Sequence, residues 1–269
     1  MKYQATTNIS QLSNIIREDM ALKIKTIDES IEANGIKVLA YGLLGTGKTR
    51  LCASPARHDE PVLIGNAEGG LLSLKDLPEA EKKNIHVVKI DRFGDIEEMY
   101  TYLMKEQSYA WVCLDSISEI AEVVLSNEKT TTNDGRAAYG NLADIMMSML
   151  RSFRDIPNYN VCMSAKMTRF NDEITNRSMY WPLMPGKQLT NGIGYLFDEV
   201  FALRVEADNE GELHRVLQTS RDVQYEAKDR SGRLDQFEEP DLTEIAKKIN
   251  GELPVASAAK PQMKENENG

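Results

Sequence analysis

The chain has 269 residues, 41% of them hydrophobic and 28% charged, a size and composition that permit one large core domain with appendages. A net charge of -10 excludes a surface that is basic all over, so contact with nucleic acid has to come from a local basic loop. Three cysteines (Cys52, Cys113, Cys162) without metal-ligand spacing and three scattered histidines provide no zinc motif or His-based catalytic pair, and no signal peptide, lipidation signal or long uncharged apolar run points to a membrane.

In chain order, residues 1–35 carry Ile9, Leu12, Ile15, Ile16, Leu22, Ile24 and Ile27, a spacing that predicts an N-terminal lead-in of one or two amphipathic helices. The apolar run Ile36 to Tyr41 reads as a buried strand, and it enters Gly42-Leu43-Leu44-Gly45-Thr46-Gly47-Lys48-Thr49. That stretch fits G-x-x-x-x-G-K-[ST], the phosphate-cradling P-loop. Gly42, Gly45 and Gly47 suit a backbone whose N–H groups wrap a polyphosphate where side chains would obstruct it. Lys48 is expected at the β- and γ-phosphates and Thr49 at Mg2+, with the opening helix adding its positive end; Thr46 and Arg50 complete the expected ATP-binding set.

The helix from Lys48 should stop near Pro55. Strands are predicted at residues 61–66, 85–90, 110–115 and 161–165. Helices are predicted at residues 71–77, 95–106, 117–125 and 141–155, with a polar loop over 129–135. A long loop is expected from Lys166 to Lys187, and Phe197 to Val205 with Glu212 to Leu217 reads as a β-hairpin. Residues 241–249 form a closing helix of a core spanning residues 36–250, and the Pro-, Lys- and Glu-rich residues 251–269 are expected to be disordered. The alternation predicts an α/β fold: a P-loop NTPase core with a mostly parallel sheet, helices on both faces and an antiparallel C-terminal extension.

Asp115, closing an apolar strand, suits the acid that holds Mg2+ through water, with a cap on the following helix as the lesser alternative. Its neighbour is Ser116, whereas ring ATPases of the AAA+ type usually carry their water-activating glutamate there. Glu68 is the substitute candidate, although Ala-Glu-Gly-Gly by itself also reads as a plain turn.

Ile64 to Gly70 resembles the strand-plus-glutamate segment of RecA and its RadA relatives, and Cys113-Leu114-Asp115-Ser116 resembles their Asp-Ser end. From Ile36 to Ile249 the chain is similar to phage P-loop proteins of the RecA-like recombinase class, which act in single-strand annealing and strand exchange. That resemblance implies Glu68 as catalytic base, Asp115 as magnesium acid and the host cell cytoplasm as location. As partners it implies single-stranded DNA, further copies of the chain in a filament or ring, and a single-strand-binding protein. The Ser164-Ala165-Lys166 end departs from the family's Asn-Gln and leaves the γ-phosphate sensor open.

Ala227-Lys228-Asp229-Arg230-Ser231-Gly232 is similar to the Lys-x-Arg-x-Gly of replicative helicases, which implies that Lys228 and Arg230 reach a neighbouring subunit's γ-phosphate; a solvated turn is the plain alternative. By the same resemblance the DNA surface comes from residues 129–139 and 166–187. The second offers Lys166, Arg169, Arg177 and Lys187 beside Phe170, Tyr180 and Trp181, cations and rings suited to a single strand, against the alternative of a surface loop anchored by its Trp. The rival functions are a motor of the same fold (helicase or packaging ATPase), a nucleotide-dependent adaptor that never touches DNA, and a small-molecule kinase.

Overall fold

The structure, a computed structural model, describes residues 26–27, 35–106, 108–132, 134–172, 177–208 and 210–253. Two compact units divide the chain, Met1–Ala33 and Asn34–Gly269. The expected N-terminal helices and the expected disordered tail fall almost wholly outside the described residues.

The second unit is an α/β domain. Its elements are β1 (Lys37–Gly42), α1 (Lys48–Ala53), β2 (Val62–Asn66), α2 (Glu79–Lys82), β3 (Ile85–Lys89), α3 (Phe93–Leu103), β4 (Trp111–Asp115), α4 (Ile117–Thr131) and α5 (Gly135–Arg154). Then come β5 (Asn160–Asp172), β6 (Arg177–Pro182), α6 (Lys187–Gly192), β7 (Glu199–Ala207), β8 (Leu213–Gln218), β9 (Lys228–Asp229), β10 (Phe237–Glu238) and α7 (Leu242–Asn250). The strand order is β10-β8-β7-β1-β5-β4-β2-β3, with β6 added to β5 and β9 to β7. The pairs from β7 to β3 are parallel, whereas β8, β9, β10 and β6 pair antiparallel.

Strands β1, β2 and β4 are buried along their whole length, because helices cover both faces, and so they read in sequence as unbroken apolar runs. Alternation sorts their side chains between two cores. Leu39, Tyr41, Val112, Leu114, Val161 and Met163 pack with α3, α4 and α5 on one face. Val38, Ala40, Cys113, Cys162, Phe201 and Leu203 pack with α1 and α7 on the other. α5 presents Leu142, Met146, Met149, Leu150 and Phe153 as its buried stripe, so its methionines fill core.

The α-helix after the P-loop ends at Ala53, beside Pro55 as expected, and Pro55 lies in the first turn of a separate 3-10 turn over Ser54–His58, where its missing N–H costs nothing. The short helix expected at 71–77 is a 3-10 turn at Gly70–Leu74. Two expectations need correction. The polar loop expected at 129–135 is shorter than expected, and most of the first DNA loop at 129–139 lies on helices, since α4 continues to Thr131 and α5 starts at Gly135, capped by Asp134, which accepts from the Arg136 amide at 2.8 Å. The loop expected over 166–187 is a β-hairpin: β5 leaves the sheet edge and pairs with β6 from Met167↔Pro182 to Asp172↔Arg177. The base of this hairpin is clamped to α4, where Ser118 Oγ donates to Leu183 O at 2.6 Å and accepts from the Lys166 amide at 2.9 Å.

Candidate functional site

The P-loop lies beyond the carboxyl end of β1, in the centre of the sheet. Gly42 is required by close approach, because a Cβ there would sit 2.5 Å from Thr46 Oγ1 and 2.8 Å from Leu203 O. Gly47 has φ +104 and caps α1 in a left-handed conformation that L side chains rarely adopt. Thr46 closes the turn by donating its hydroxyl to Leu43 O at 2.9 Å. Lys48 is buried and donates to Gly42 O and Leu43 O at 3.2 Å each, so its ammonium lies within the loop. Arg50 is half-buried on α1.

Beside the loop, three chain segments converge on one carboxylate. Asp115 is 0% exposed, accepting from Thr49 Oγ1 at 2.6 Å and from Ser164 Oγ at 2.5 Å. The strand alternation explains the meeting: on β4, Cys113 and Asp115 face α1, and on β5, Cys162 and Ser164 do the same. Burial pushes the Asp115 carboxyl above its ordinary range, with the hydrogen bonds from Ser164 and Thr49 pulling it back. A carboxylate and a hydroxyl, hard oxygen donors at the mouth of a phosphate loop, fit Mg2+; Thr49 and Asp115 are the residues that would hold it. The alternative of Asp115 as a helix cap is excluded, because the cap of α4 is Ser116, which accepts from the Glu119 amide.

Glu68 reaches the same place from β2. The ends of β2 and β4 stay paired, Asn66 opposite Asp115 and the Ala67 amide donating to Asp115 O at 2.8 Å. Glu68 is exposed, and its Oε1 accepts from Ser116 Oγ at 2.5 Å across a cis Asp115–Ser116 peptide. The segment then turns over the P-loop, where a Cβ on Gly70 would meet Thr49 Oγ1 at 3.2 Å. The Asn66 Nδ2 donor, buried in this corner, has no partner among the described residues.

Lys228 and Arg230 stand elsewhere. β9 pairs with Glu199 and Val200 at the start of β7, whereas the P-loop level is Leu203 opposite Gly42, so both cations lie toward the amino edge of the sheet. Lys228 Nζ donates to Gly194 O at 3.0 Å and also to Phe197 O, and Arg230 pairs with Asp198 at 2.5 Å.

The expected DNA residues are spread over the β5–β6 hairpin and α6. Lys166 is paired with Glu119. Arg169 is exposed on β5 and Lys187 on α6. The Tyr180 ring stacks on the Tyr225 ring with centroids 4.7 Å apart, while Arg204 covers the Tyr225 ring from 4.0 Å. The Trp181 indole N–H donates to Thr190 O at 2.6 Å. Phe170 and Arg177 lie on the hairpin backbone; their side chains, and residues 173–176, lie outside the described residues.

Sequence reasoning missed two residues of this site, Ser116 and Ser164. The signal available for both was their place at a strand end, Ser164 two residues after an inward Cys162 just as Asp115 follows Cys113. The three cysteines, far apart in sequence and without metal-ligand spacing, also meet in the fold. All three are buried together one layer beneath the Thr49–Asp115–Ser164 contact, their sulfurs within 4.8 Å of one another.

No helix among the described residues is long and apolar enough to cross a membrane. A search of curated proteins gave no match. The sequence matches the AAA_24 family, described as an AAA domain, over residues 34–231, a span that holds the P-loop, Glu68, Asp115, Ser164 and the Lys228–Arg230 segment. The chain therefore belongs to the AAA_24 family and is an AAA-type P-loop ATPase domain.

Proposed function

We propose that this ATPase is a single-stranded-DNA-binding recombinase or annealing protein of the RecA-like phage type, hydrolysing ATP with Mg2+ at interfaces between its own copies. The observation that carries the reading is the Glu68–Ser116 hydrogen bond: a carboxylate from the neighbouring strand stands beside Asp115, where the magnesium strand supplies none. Glu68 orients and deprotonates the attacking water, while Lys48 and the loop amides neutralise the charge that develops on the phosphoryl oxygens. Lys228 and Arg230, remote from their own P-loop, act on a neighbouring copy's nucleotide.

The link to DNA runs through β5. Ser164 touches Asp115, and two residues later the same strand becomes the base of the hairpin that carries Arg169. Tyr41, one residue before the P-loop, adds a second tie by donating its hydroxyl to Glu226 O at 2.5 Å, within reach of Tyr180 O at 3.1 Å. A change at the phosphates is thereby conveyed to the hairpin through two stiff strands.

ATPase rates with and without single-stranded DNA, beside DNA binding measured over a range of salt, test the proposal. Stimulation together with binding that weakens steeply with salt is expected. A second reading, an adaptor that switches with nucleotide and holds a replication or repair protein, gains support from Tyr180 and Trp181 being engaged inside the chain. An ATPase indifferent to DNA favours it.

A further inference from the structure

We infer that Arg215 is a nucleotide-binding residue, gripping the polyphosphate on its leaving side, at the α- and β-phosphates, from the flank opposite Glu68. The inference rests on the P-loop holding a nucleotide. The β7–β8 hairpin continues past the level where Gly42 ends β1: Leu203 pairs with Gly42 and with Leu217, and two positions further out Val205 pairs with Arg215. The hairpin therefore overhangs the P-loop. From it Arg215 lies across the loop backbone, with Nε donating to Thr46 O at 3.1 Å. A Cβ on Gly47 would come within 3.2 Å of both Cδ and Nε of this side chain.

One guanidinium N–H thus anchors the arginine to the phosphate-wrapping backbone, while both terminal nitrogens have no partner among the described residues. A planar fork held in that way matches two phosphoryl oxygens, which an ammonium cannot do.

The sheet order fixes the side. Along β8-β7-β1-β5-β4-β2 the P-loop strand stands in the middle, with Asp115 and Glu68 on one flank and Arg215 on the other. In phosphoryl transfer the attacking and leaving oxygens lie roughly in line across the γ-phosphorus. With the attacking water on the Glu68 flank, Arg215 meets the departing diphosphate. Its contacts are then made in the ADP and ATP complexes alike.

The test is equilibrium titration of the full-length chain with fluorescent ADP and a fluorescent non-hydrolysable ATP analogue in Mg2+, for wild type, Arg215→Lys and Arg215→Ala. Arg215→Ala should weaken both nucleotides by about tenfold or more and by similar factors, with Arg215→Lys recovering only part. Apo melting curves and affinity for AMP accompany the titrations; AMP, lacking the β-phosphate, should lose less. Equal affinity of wild type and Arg215→Ala would overturn the assignment, and a loss confined to the ATP analogue would overturn its leaving-side placement. Wild-type protein that binds neither nucleotide removes the P-loop reading itself, and this inference with it.

Discussion

The two edges of the central sheet bury ionisable groups equally deeply and to different ends. At the carboxyl edge Asp115 is 0% exposed, and its partners Thr49 and Ser164 are hydroxyls that a cation can replace or share. At the amino edge Lys37 is 3% and Glu199 2% exposed. There Lys37 is spent on fixed backbone, donating to Tyr159 O at 2.7 Å and Ile156 O at 3.3 Å. Glu199 is pressed against Asp229, with one buried oxygen lacking a partner among the described residues. Burial of charge therefore does not by itself mark a site. What distinguishes the carboxyl edge is a set of exchangeable oxygen donors beside an open loop; the amino edge closes on itself.

Chemistry offers the sharpest break between the edges. Glu68→Gln should cut ATP turnover by about a hundredfold or more while leaving nucleotide affinity close to wild type, as steady-state rates and titrations would show. At the amino edge Lys37→Met should leave turnover per folded molecule unchanged. It should lower stability in urea by about 1–3 kcal/mol, because two buried carbonyls lose their donor. A loss of turnover there, or none at Glu68, would erase the distinction.

The pH response separates the edges more finely. Burial, aided by the neighbouring Asp229 carboxylate, pushes Glu199 up to about 8, so the folded state holds a proton that the unfolded state releases from about pH 4.5. Stability should therefore fall as pH rises through that window, by up to about 1.4 kcal/mol per unit, and Glu199→Gln should flatten the slope. Lys37 acts with the opposite sign: burial lowers it to about 8 from 10.5, so stability should recover as pH rises between those values. Chemical denaturation from pH 5 to 10 on wild type and the two single variants checks both slopes. The smallest effect belongs to the thiols. Cys52, Cys113 and Cys162 lie wholly inside the α1-side core, so an aqueous thiol reagent should label none of them until the domain unfolds. Prompt labelling of the native protein would mean that the layer beneath Asp115 opens.

Legibility in the sequence follows burial. β1, β2, β4 and the inner half of β5 were readable because both their faces are covered and their central positions are almost all apolar, with polar residues such as Lys37, Asn66 and Asp115 confined to strand ends. The P-loop was readable because its glycines answer a local steric demand, as at Gly42 and Gly47. The β7–β8 hairpin announced itself through the polar Asp208–Gly211 turn. The outer half of β5 with β6 was illegible for the opposite reason. Its strands pair beyond the sheet edge, where Thr168, Arg169 and Asn171 carry no apolar alternation. The helical stretch through Lys129 was masked by its polar surface, since it is α4 packing higher up, at Ile120, Val124 and Leu125, that holds the helix.

By itself the sequence determined an α/β chain with a phosphate loop, an acid closing a buried strand, and a glutamate just past the strand that follows the loop, because each is a local pattern of a few adjacent residues. The tertiary structure alone decided that Thr49, Asp115 and Ser164 share one hydrogen-bonded corner, that Ser116 holds Glu68, and that Arg215 lies over Gly47. It also turned Lys228 toward carbonyls and Arg230 toward Asp198, away from their own P-loop. These meetings join residues dozens of positions apart, and they are fixed by strand order and register, which the burial of two opposite core faces selects and no short stretch of sequence spells out.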